Sequence, residues 1–269
     1  MKKSIANGMG LALALTGLIA LPAAAAEGPG PAGADGKGGI AALVGPVAPV
    51  PAETPHRGTP DPKVKRAQQI MAKFGIPGGP VDGYSGAQTV QGLCAFRRMT
   101  GQTPTRGGLD HQIYLKLVEF DAKYSSIGQF PASSFQGKVT YVHVQMTCQT
   151  AFYVKDKTYQ RVLRVSTGMR GHDTPSGYYN LGSTLKGWWC STLYPESCRK
   201  QTTGEFAYLR NFGNMYNSRQ VIGAIYLHGS TSVPTYPASH GCIRVSVTDA
   251  DWMYHKVANM PIFITGKYV

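Results

Sequence analysis

The apolar residues of this 269-residue chain change their period partway along it, and this change constrains the fold more than any other feature. Between residues 63 and 122 they recur every three or four positions, the spacing of an amphipathic helix. From residue 137 onward they mostly alternate, the spacing of a β-strand with one buried face. The sequence therefore predicts a small helical module and a larger, mainly β domain, joined by a linker over 125–136.

Three short helices are predicted in the first part. The first begins at Lys63, and the second runs from about Ala87 to Met99. The third follows Asp110, whose carboxylate suits the N-cap position because it can accept a backbone N–H. The second part, 137–269, is predicted to be mainly β with few helices. Its predicted elements are strands at 139–144, 151–154, 162–166, 224–228 and 261–265 and a helix at about 248–257.

The first 62 residues have the composition of an export signal followed by a tether. Residues 1–26 combine a basic start, an apolar run from Gly8 to Leu21 and a small-residue end, the pattern of a secretory signal cleaved after Ala26. The apolar run is shorter than the roughly 18–20 residues of a membrane-spanning helix, although an uncleaved anchor remains the alternative. Residues 27–62 contain 8 Gly and 8 Pro and predict an extended tether.

The charge of the chain predicts an anionic partner. Lys and Arg number 27 against 14 Asp and Glu, a formal charge of +13, which loss of the two signal lysines lowers to +11. Such a surplus attracts nucleic acid, anionic lipid or acidic wall polymers. Export disfavours nucleic acid, and cleavage of the signal leaves no segment for stable membrane insertion. Anionic lipid surfaces and acidic wall polymers therefore remain as the predicted partners.

The number of cysteines is odd, which is informative in an exported chain. An oxidising compartment favours disulfides, so five cysteines predict at least one free thiol or a bond to another chain. The cysteines are Cys94, Cys148, Cys190, Cys198 and Cys242. A leftover cysteine is a candidate nucleophile.

Candidate catalytic side chains are concentrated in two short segments near the end of the chain, 226–230 and 238–244. They place two imidazoles, His228 and His240, within 14 positions of the Cys242 thiol. A thiol becomes a useful nucleophile when an imidazole takes its proton and backbone N–H groups stabilise the oxyanion. Gly241 allows close approach of substrate, and the amides of Gly241 and Cys242 are candidates for the oxyanion hole.

These segments resemble the motif of the L,D-transpeptidase (YkuD-like) family, a His-Gly pair followed by Ser-His-Gly-Cys, an aliphatic residue and Arg or Asn. The matching residues are His228-Gly229, Ser239-His240-Gly241-Cys242-Ile243-Arg244 and, for an upstream Thr-Pro-x-Gly turn, Thr174-Pro175-Ser176-Gly177. The gap of ten residues between His228 and Ser239 is shorter than in many members, which leaves the size of the loop over the site open. The resemblance covers 137–269 and implies a β-sandwich.

The helical module carries a second resemblance, to peptidoglycan-binding type 1 domains. The residues that carry it are Val81-Asp82-Gly83, Gly86, Thr89 and Phe96. This resemblance implies that residues 63–122 bind the cell wall. Two separate resemblances to cell-wall proteins follow one predicted export signal, and each strengthens the prediction that the protein acts on the cell wall.

The family resemblance implies a role for each candidate residue. Cys242 is the expected nucleophile and His228 the general base, oriented by a backbone carbonyl near Gly229 or Ser230. His240 is expected beside the thiol, where it sets the thiol pKa or holds the loop. The expected substrate-binding residues are Arg244, which steers a carboxylate, and Ser239, Gly229, Ser230 and Tyr226. No metal or organic cofactor is required.

The implied reaction is transpeptidation of peptidoglycan stem peptides. The thiolate attacks the carbonyl of the L-centre of diaminopimelate and expels D-alanine, and an amine of a second stem resolves the thioester to a 3→3 cross-link. Hydrolysis of the same thioester, L,D-carboxypeptidase activity, is one alternative. A catalytically inactive wall-binding protein is another.

Three further alternatives concern individual side chains. His228, His240, Cys242 and His255 are zinc-ligand types, but their spacing is not that of a metal finger. Trp188 and Trp189 belong either to the core or, with Tyr226, to a substrate cleft. If Cys242 is free, the other cysteines allow three pairings, of which Cys190–Cys198 with Cys94–Cys148 is favoured because the former closes a short loop.

Overall fold

A computed structural model of the protein describes residues 58–191, 214–257 and 259–268. The predicted export signal and most of the predicted tether lie outside the described residues. The described residues all belong to one compact unit. None of the helices in the described ranges is both long enough and apolar enough to cross a membrane.

The three predicted N-terminal helices are confirmed. They are α1 (Pro62–Lys73), α2 (Ala87–Met99) and α3 (His111–Lys123). Asp61 caps α1 by accepting the Lys63 N–H at 2.7 Å, and Asp110 caps α3 by accepting the Ile113 N–H at 2.9 Å. These caps explain where the two helices begin, because each satisfies an N–H that has no partner within its helix.

The rest of the chain forms two sheets and one further helix in the described ranges. The first sheet has the strand order β3-β2-β1-β9-β4, and the second has the order β5-β6-β7-β8. The strands are β1 (Tyr141–Gln145), β2 (Thr150–Lys155), β3 (Thr158–Arg164), β4 (Gly177–Asn180), β5 (Thr184–Trp189), β6 (Met215–Ile222), β7 (Ile225–Ser230), β8 (Ile243–Ser246) and β9 (Pro261–Thr265). Helix α4 (Val247–Lys256) follows β8. This arrangement confirms the expected fold class, a mainly β domain with a small helical module.

The five-stranded sheet is covered on both faces. Phe152 and Phe263 on one face share a core with Phe96 and Phe120 of the helices. On the other face, inward-facing residues share a second core with the four-stranded sheet and α4, among them Val142, Val144, Leu227, Ile243 and Met253. As a result all five residues of β1 are buried. The expected alternation of buried and exposed positions is therefore absent from the central strand.

The helical module is joined to the β domain by packing as well as by the chain. Residues 125–136, expected to form a linker, contain a short 3₁₀ turn (Ile127–Gln129), and Phe130 and Phe135 pack against the first core. This segment is part of the folded unit and does not separate the module from the sheet.

A disulfide also joins the two parts. Cys94 of α2 is bonded to Cys148, in the turn between β1 and β2, which confirms the predicted pair. Cys190 is disulfide-bonded as well, but its predicted partner, Cys198, lies outside the described residues. Cys242 is free.

Replacing the first pair, as Cys94→Ser with Cys148→Ser, is expected to lower the free energy of unfolding by about 2–4 kcal/mol. The bond closes a chain segment with a sequence separation of 54, so its loss enlarges the conformational entropy of the unfolded state. Urea denaturation without reducing agent measures the change. An unchanged midpoint and slope would contradict the assignment of this bond as a stabilising cross-link.

Candidate active site

Parallel pairing of β7 with β8 brings the two sequence motifs together. The register places Leu227 opposite Ile243 and His228 opposite Arg244. Leu227 and Ile243 point into the core. Because successive side chains of a strand point to opposite faces, His228 and Arg244 lie on the other face, and Cys242, just before β8, follows the same alternation. Two segments separated in sequence therefore contribute to one face of the sheet.

The Cys242 thiol lies over the beginning of β7. Its Sγ accepts the Tyr226 N–H at 3.5 Å and is 3.8 Å from the Ala224 carbonyl oxygen. Burial raises the pKa of the Cys242 thiol, while the Tyr226 N–H and the Arg244 charge oppose this to a smaller extent. The thiol is consequently protonated at neutral pH, and a base is needed to generate the thiolate.

His228, the residue expected to be that base, is held in one tautomer. The side chain is buried, and its Nδ1–H donates to the Gly229 carbonyl at 2.9 Å, which leaves Nε2 as the acceptor nitrogen. Burial lowers the pKa of His228 to about 4, with a further lowering by the Arg244 charge and an opposing effect of the Gly229 hydrogen bond. The imidazole is therefore neutral near pH 7. Of the two carbonyls expected to orient it, that of Gly229 does so.

Ser239 holds the loop that carries the thiol. This side chain is buried, and its hydroxyl donates to the Cys242 carbonyl at 2.5 Å and accepts the Gly241 N–H at 3.1 Å. The hydroxyl is thus engaged within the loop, which gives Ser239 a positioning role. The Gly241 N–H is engaged as well, so the Cys242 N–H is the remaining oxyanion donor of the two expected.

Gly241 is required by its backbone conformation and by its surroundings. Its φ of +110° lies in a region that non-glycine residues rarely adopt, and an added Cβ would lie 2.6 Å from Ile225 Cδ1. The Thr174 hydroxyl donates to the Gly241 carbonyl at 2.7 Å and accepts the Gly168 N–H at 2.8 Å. The upstream Thr-Pro-x-Gly turn therefore supports the thiol loop directly.

His240 lies on the exposed side of this loop, where its ring meets that of His172. The two ring centroids are 4.7 Å apart in an edge-to-face arrangement. Partial burial lowers the pKa of His240, and the His172 and Arg244 charges lower it further. Sequence reasoning did not single out His172, because 68 positions separate it from His240 and it belongs to no motif of its own.

A cleft of about 370 Å³ opens beside the thiol. Ala224 and Tyr226, which contact Sγ, also line it. Other lining residues are Leu185, Trp189, Cys190, Ser191, Met215 and Gly223. Tyr226 and Trp189 thus occupy a cleft wall, whereas Trp188 packs against Tyr216 at 5.1 Å between ring centroids. This cleft is the candidate position for a substrate.

Three further residues expected at the site have defined positions. Arg244 is half-buried, and no carboxylate in the described part of the chain pairs with its guanidinium. Gly229 packs so closely that an added Cβ would lie 2.8 Å from the Cβ of Ala250. The Ser230 hydroxyl bonds to the backbone of Ser232 in a local turn, at 3.1 and 3.2 Å.

Within the described residues, no group of three or more His, Cys, Asp or Glu has a metal-binding arrangement.

The motif residues of the helical module are engaged within the module. The amide of buried Gln68 donates to the Asp82 carboxylate at 2.9 Å and to the Thr89 hydroxyl at 3.0 Å, and it accepts the Gly83 N–H at 2.8 Å. These side chains stabilise the connection between α1 and α2. Val81 of the same motif is exposed.

The burial of His228 predicts how the site titrates. A depressed pKa means that the imidazole stays neutral at pH 5–7 and gains its proton only as the pH falls towards about 4. Nitrogen-15 NMR of histidine-labelled protein, assigned with a His228→Gln variant, measures this midpoint and the tautomer. A midpoint near the ordinary value of about 6.5, or a proton on Nε2 of the neutral ring, would contradict the described geometry.

Part of the chain matches the model of a known protein family. Residues 139–264 match the YkuD family, described as the L,D-transpeptidase catalytic domain. Among solved structures, an L,D-transpeptidase from Xylanimonas cellulosilytica is 25% identical, with 80% of this chain and 98% of that chain covered and a TM-score of 0.48. An L,D-transpeptidase from Stackebrandtia nassauensis is 18% identical, with coverage of 78% and 94% and a TM-score of 0.44. A comparison with curated proteins found no match. Residues 139–264, just under half of the chain, are therefore similar to the YkuD L,D-transpeptidase catalytic domain, and the cysteine and histidine of the matching motif lie on one face of the four-stranded sheet.

Proposed function

We propose that the protein is an exported cysteine acyltransferase that forms 3→3 cross-links between peptidoglycan stem peptides. The acyl group is held as a thioester on Cys242, and D-alanine is released. The observation that carries the proposal is the placement, by the pairing of β7 with β8, of a free, protonated thiol and a neutral histidine whose Nδ1–H is fixed by a backbone carbonyl on one face of the four-stranded sheet. This arrangement matches the needs of nucleophilic catalysis.

The first half of the reaction transfers the stem to the enzyme. His228 Nε2 takes the thiol proton as Sγ attacks the carbonyl carbon of the L-centre of diaminopimelate. The Cys242 N–H stabilises the resulting oxyanion. When the intermediate collapses, the bond to the D-alanine nitrogen breaks, and the proton on His228 passes to that amine. The products of this step are D-alanine and a thioester.

The second half regenerates the thiol. The side-chain amine of a second stem attacks the thioester carbonyl and loses a proton to His228. The C–S bond then breaks, and the same proton returns to the Cys242 sulfur. Water in place of the amine would give a shortened stem and no cross-link, so the partition between the two outcomes depends on which acceptor enters the cleft.

The surroundings of the thiol support an anionic, elongated substrate. Arg244 is close enough to Cys242 for its charge to affect the thiol pKa, and its guanidinium suits bidentate recognition of a carboxylate. The cleft beside Ala224 and Tyr226 is lined by aromatic and aliphatic side chains that suit the stem backbone. His240 and His172 lie on the other exposed part of the loop and support its position.

Acylation by a carbapenem, whose strained ring resembles an acyl donor, is the direct test of the nucleophile. Wild-type protein is expected to gain one adduct, measured by intact mass, and Cys242→Ala is expected to gain none. His228→Gln is expected to slow the reaction by about 10²–10⁴-fold, because the thiol loses its base. His111→Gln, at the exposed start of α3, is the matched control and should react like wild type.

Two results would contradict this assignment. An adduct that persists in Cys242→Ala would place the nucleophile elsewhere, and an unchanged rate in His228→Gln would transfer the base role to another group. Circular dichroism of each variant establishes that the fold is retained.

We also propose that the helical module binds the cell wall. Asp82, Gly83 and Thr89 of the motif that resembles peptidoglycan-binding domains are engaged internally, so we assign the binding surface to another part of the module. A shallow cleft of about 220 Å³ is lined by Lys116, Lys123 and Glu119, a net positive set of charges, together with Phe120 and Tyr124 of the α3 region. This combination of cationic and aromatic side chains suits anionic wall components.

The double substitution Lys116→Glu with Lys123→Glu is expected to reduce co-sedimentation with insoluble wall sacs by about tenfold, because the charge in the cleft is reversed. Lys155→Glu with Lys157→Glu, on the exposed turn between β2 and β3, is the matched control. Equal sedimentation of both variants would contradict the assigned surface. Substitutions are preferable to deletion of 63–122, which would expose one face of the five-stranded sheet.

A further inference from the structure

A buried glutamine lies between the helical module and the loop that carries the thiol. Gln149 immediately precedes β2, is fully buried and has a φ of +53°, which is uncommon for a non-glycine residue. Its Nε2 donates to the Met146 carbonyl at 2.7 Å and to the Thr167 hydroxyl at 2.8 Å. Its Oε1 accepts the Thr167 N–H at 2.8 Å. A side-chain amide thus fixes both the backbone and the side chain of Thr167.

Thr167 transmits this position to Ser239. The Thr167 carbonyl accepts the backbone N–H groups of Ala238 and Ser239, both at 3.0 Å, and the Met169 N–H donates to the Ser239 carbonyl at 2.9 Å. Ser239 in turn bonds to the Cys242 carbonyl through its hydroxyl at 2.5 Å. A continuous chain of short hydrogen bonds therefore leads from Gln149 to the backbone of Cys242.

Helix α2 holds Gln149, the first residue of this series of hydrogen bonds, at two points. The Gln91 side chain donates to the Gln149 carbonyl at 2.6 Å. Cys94, three residues further along the same helix face, is bonded to Cys148, the neighbour of Gln149. The Gln149 carbonyl also accepts the Val165 N–H at 3.0 Å, so the same residue fixes the end of β3. The helices, the central sheet and the thiol loop therefore meet at one residue, Gln149, through its backbone carbonyl and its side-chain amide.

We propose that Gln149 is a positioning residue for the thiol loop, acting through Thr167 and Ser239 to fix the backbone of Cys242. The inference rests on the proposed acyltransferase function. Its chemical basis is that the Cys242 N–H and Sγ must both meet one carbonyl group, so a displacement of about 1 Å is enough to slow acylation. The helical module accordingly contributes to the chemistry as a brace, in addition to any contact with the wall.

Single-turnover acylation by a carbapenem distinguishes positioning from folding, because it gives both a rate constant and an amplitude. Gln149→Met keeps the length of the side chain and removes its amide. It is expected to lower the rate constant by about 10–100-fold while every molecule still becomes acylated. Partial unfolding would instead lower the amplitude and leave the rate constant of the folded fraction unchanged. Alkylation of Cys242 by iodoacetamide, which requires no oxyanion donor, is expected to change less than about twofold.

Gln160→Met on β3 is the matched control, because Gln160 is exposed and bonds only locally to Thr158, at 2.7 Å. Its rate constant should equal that of wild type.

If Gln149→Met does not fold, the pair Thr167→Val and Thr167→Ser tests the positioning role instead. The valine variant removes the hydroxyl that Gln149 contacts and should react several-fold more slowly, whereas the serine variant retains a hydroxyl and should react at nearly the wild-type rate.

The outcomes separate this inference from the proposed function. Wild-type rate constants in Gln149→Met, or in Thr167→Val where the first variant does not fold, would overturn the positioning role while leaving the acyltransferase assignment intact. A fall in amplitude alone would also overturn it, since it would show a purely structural role. Wild-type protein that forms no adduct would overturn the proposed function and this inference with it.

Discussion

Burial of the five-stranded sheet on both faces is the constraint on which the rest of the structure depends. One face is covered by the helices and the other by the four-stranded sheet with α4, so neither covering layer is dispensable. The turn between β1 and β2 lies where these layers meet, and it holds both Cys148 and Gln149. A disulfide and a buried amide at one turn thus tie the helices to the sheet and the sheet to the thiol loop. The architecture explains how a module remote in sequence supports the site.

The pKa values of the site residues are determined by their burial in the fold. Burial raises the pKa of the Cys242 thiol and lowers that of His228 to about 4, so both partners are uncharged at neutral pH. A neutral thiol is a poor target for oxidants, because the thiolate is the reactive form. In the proposed mechanism the proton therefore moves during the attack itself, and the Gly229 carbonyl fixes the tautomer that leaves Nε2 free to accept it. The resting thiol is thus protected from oxidation, and the proposed base is neutral.

Much of the fold could be predicted from local patterns, because those patterns reflect local physics. The bounds of α2 follow from its apolar spacing and flanking glycines, and Asp110 identifies the start of α3 through its capping carboxylate. The pairing of Cys94 with Cys148 could be reached from the number of cysteines and a preference for short loops. By contrast, β6 was missed because Asn217, Ser218 and Arg219 are buried there and interrupt the alternation of apolar residues. The side chains of Asn217 and Arg219 are compensated for their burial by long-range hydrogen bonds, such as that from the Gly187 N–H to Asn217 at 2.8 Å, which no local window contains.

Only some residues of the site could be predicted from sequence. Cys242 and His228 lie in short motifs whose residue types and spacing indicate their chemistry. Gln149, Thr167 and His172 belong to no such motif, and only their contacts in the folded protein connect them to the site. Ser239 was expected to contact substrate, yet its hydroxyl is engaged by the loop that it holds.

Product analysis with purified tetrapeptide-containing wall fragments is the most direct test of the proposed acyl transfer through Cys242. We expect free D-alanine and 3→3 cross-linked dimers in equal amounts, and neither product with Cys242→Ala. Release of D-alanine accompanied only by shortened tripeptides would contradict acyl transfer to an amine and assign hydrolysis instead. Cross-linking without release of D-alanine would contradict the thioester mechanism itself.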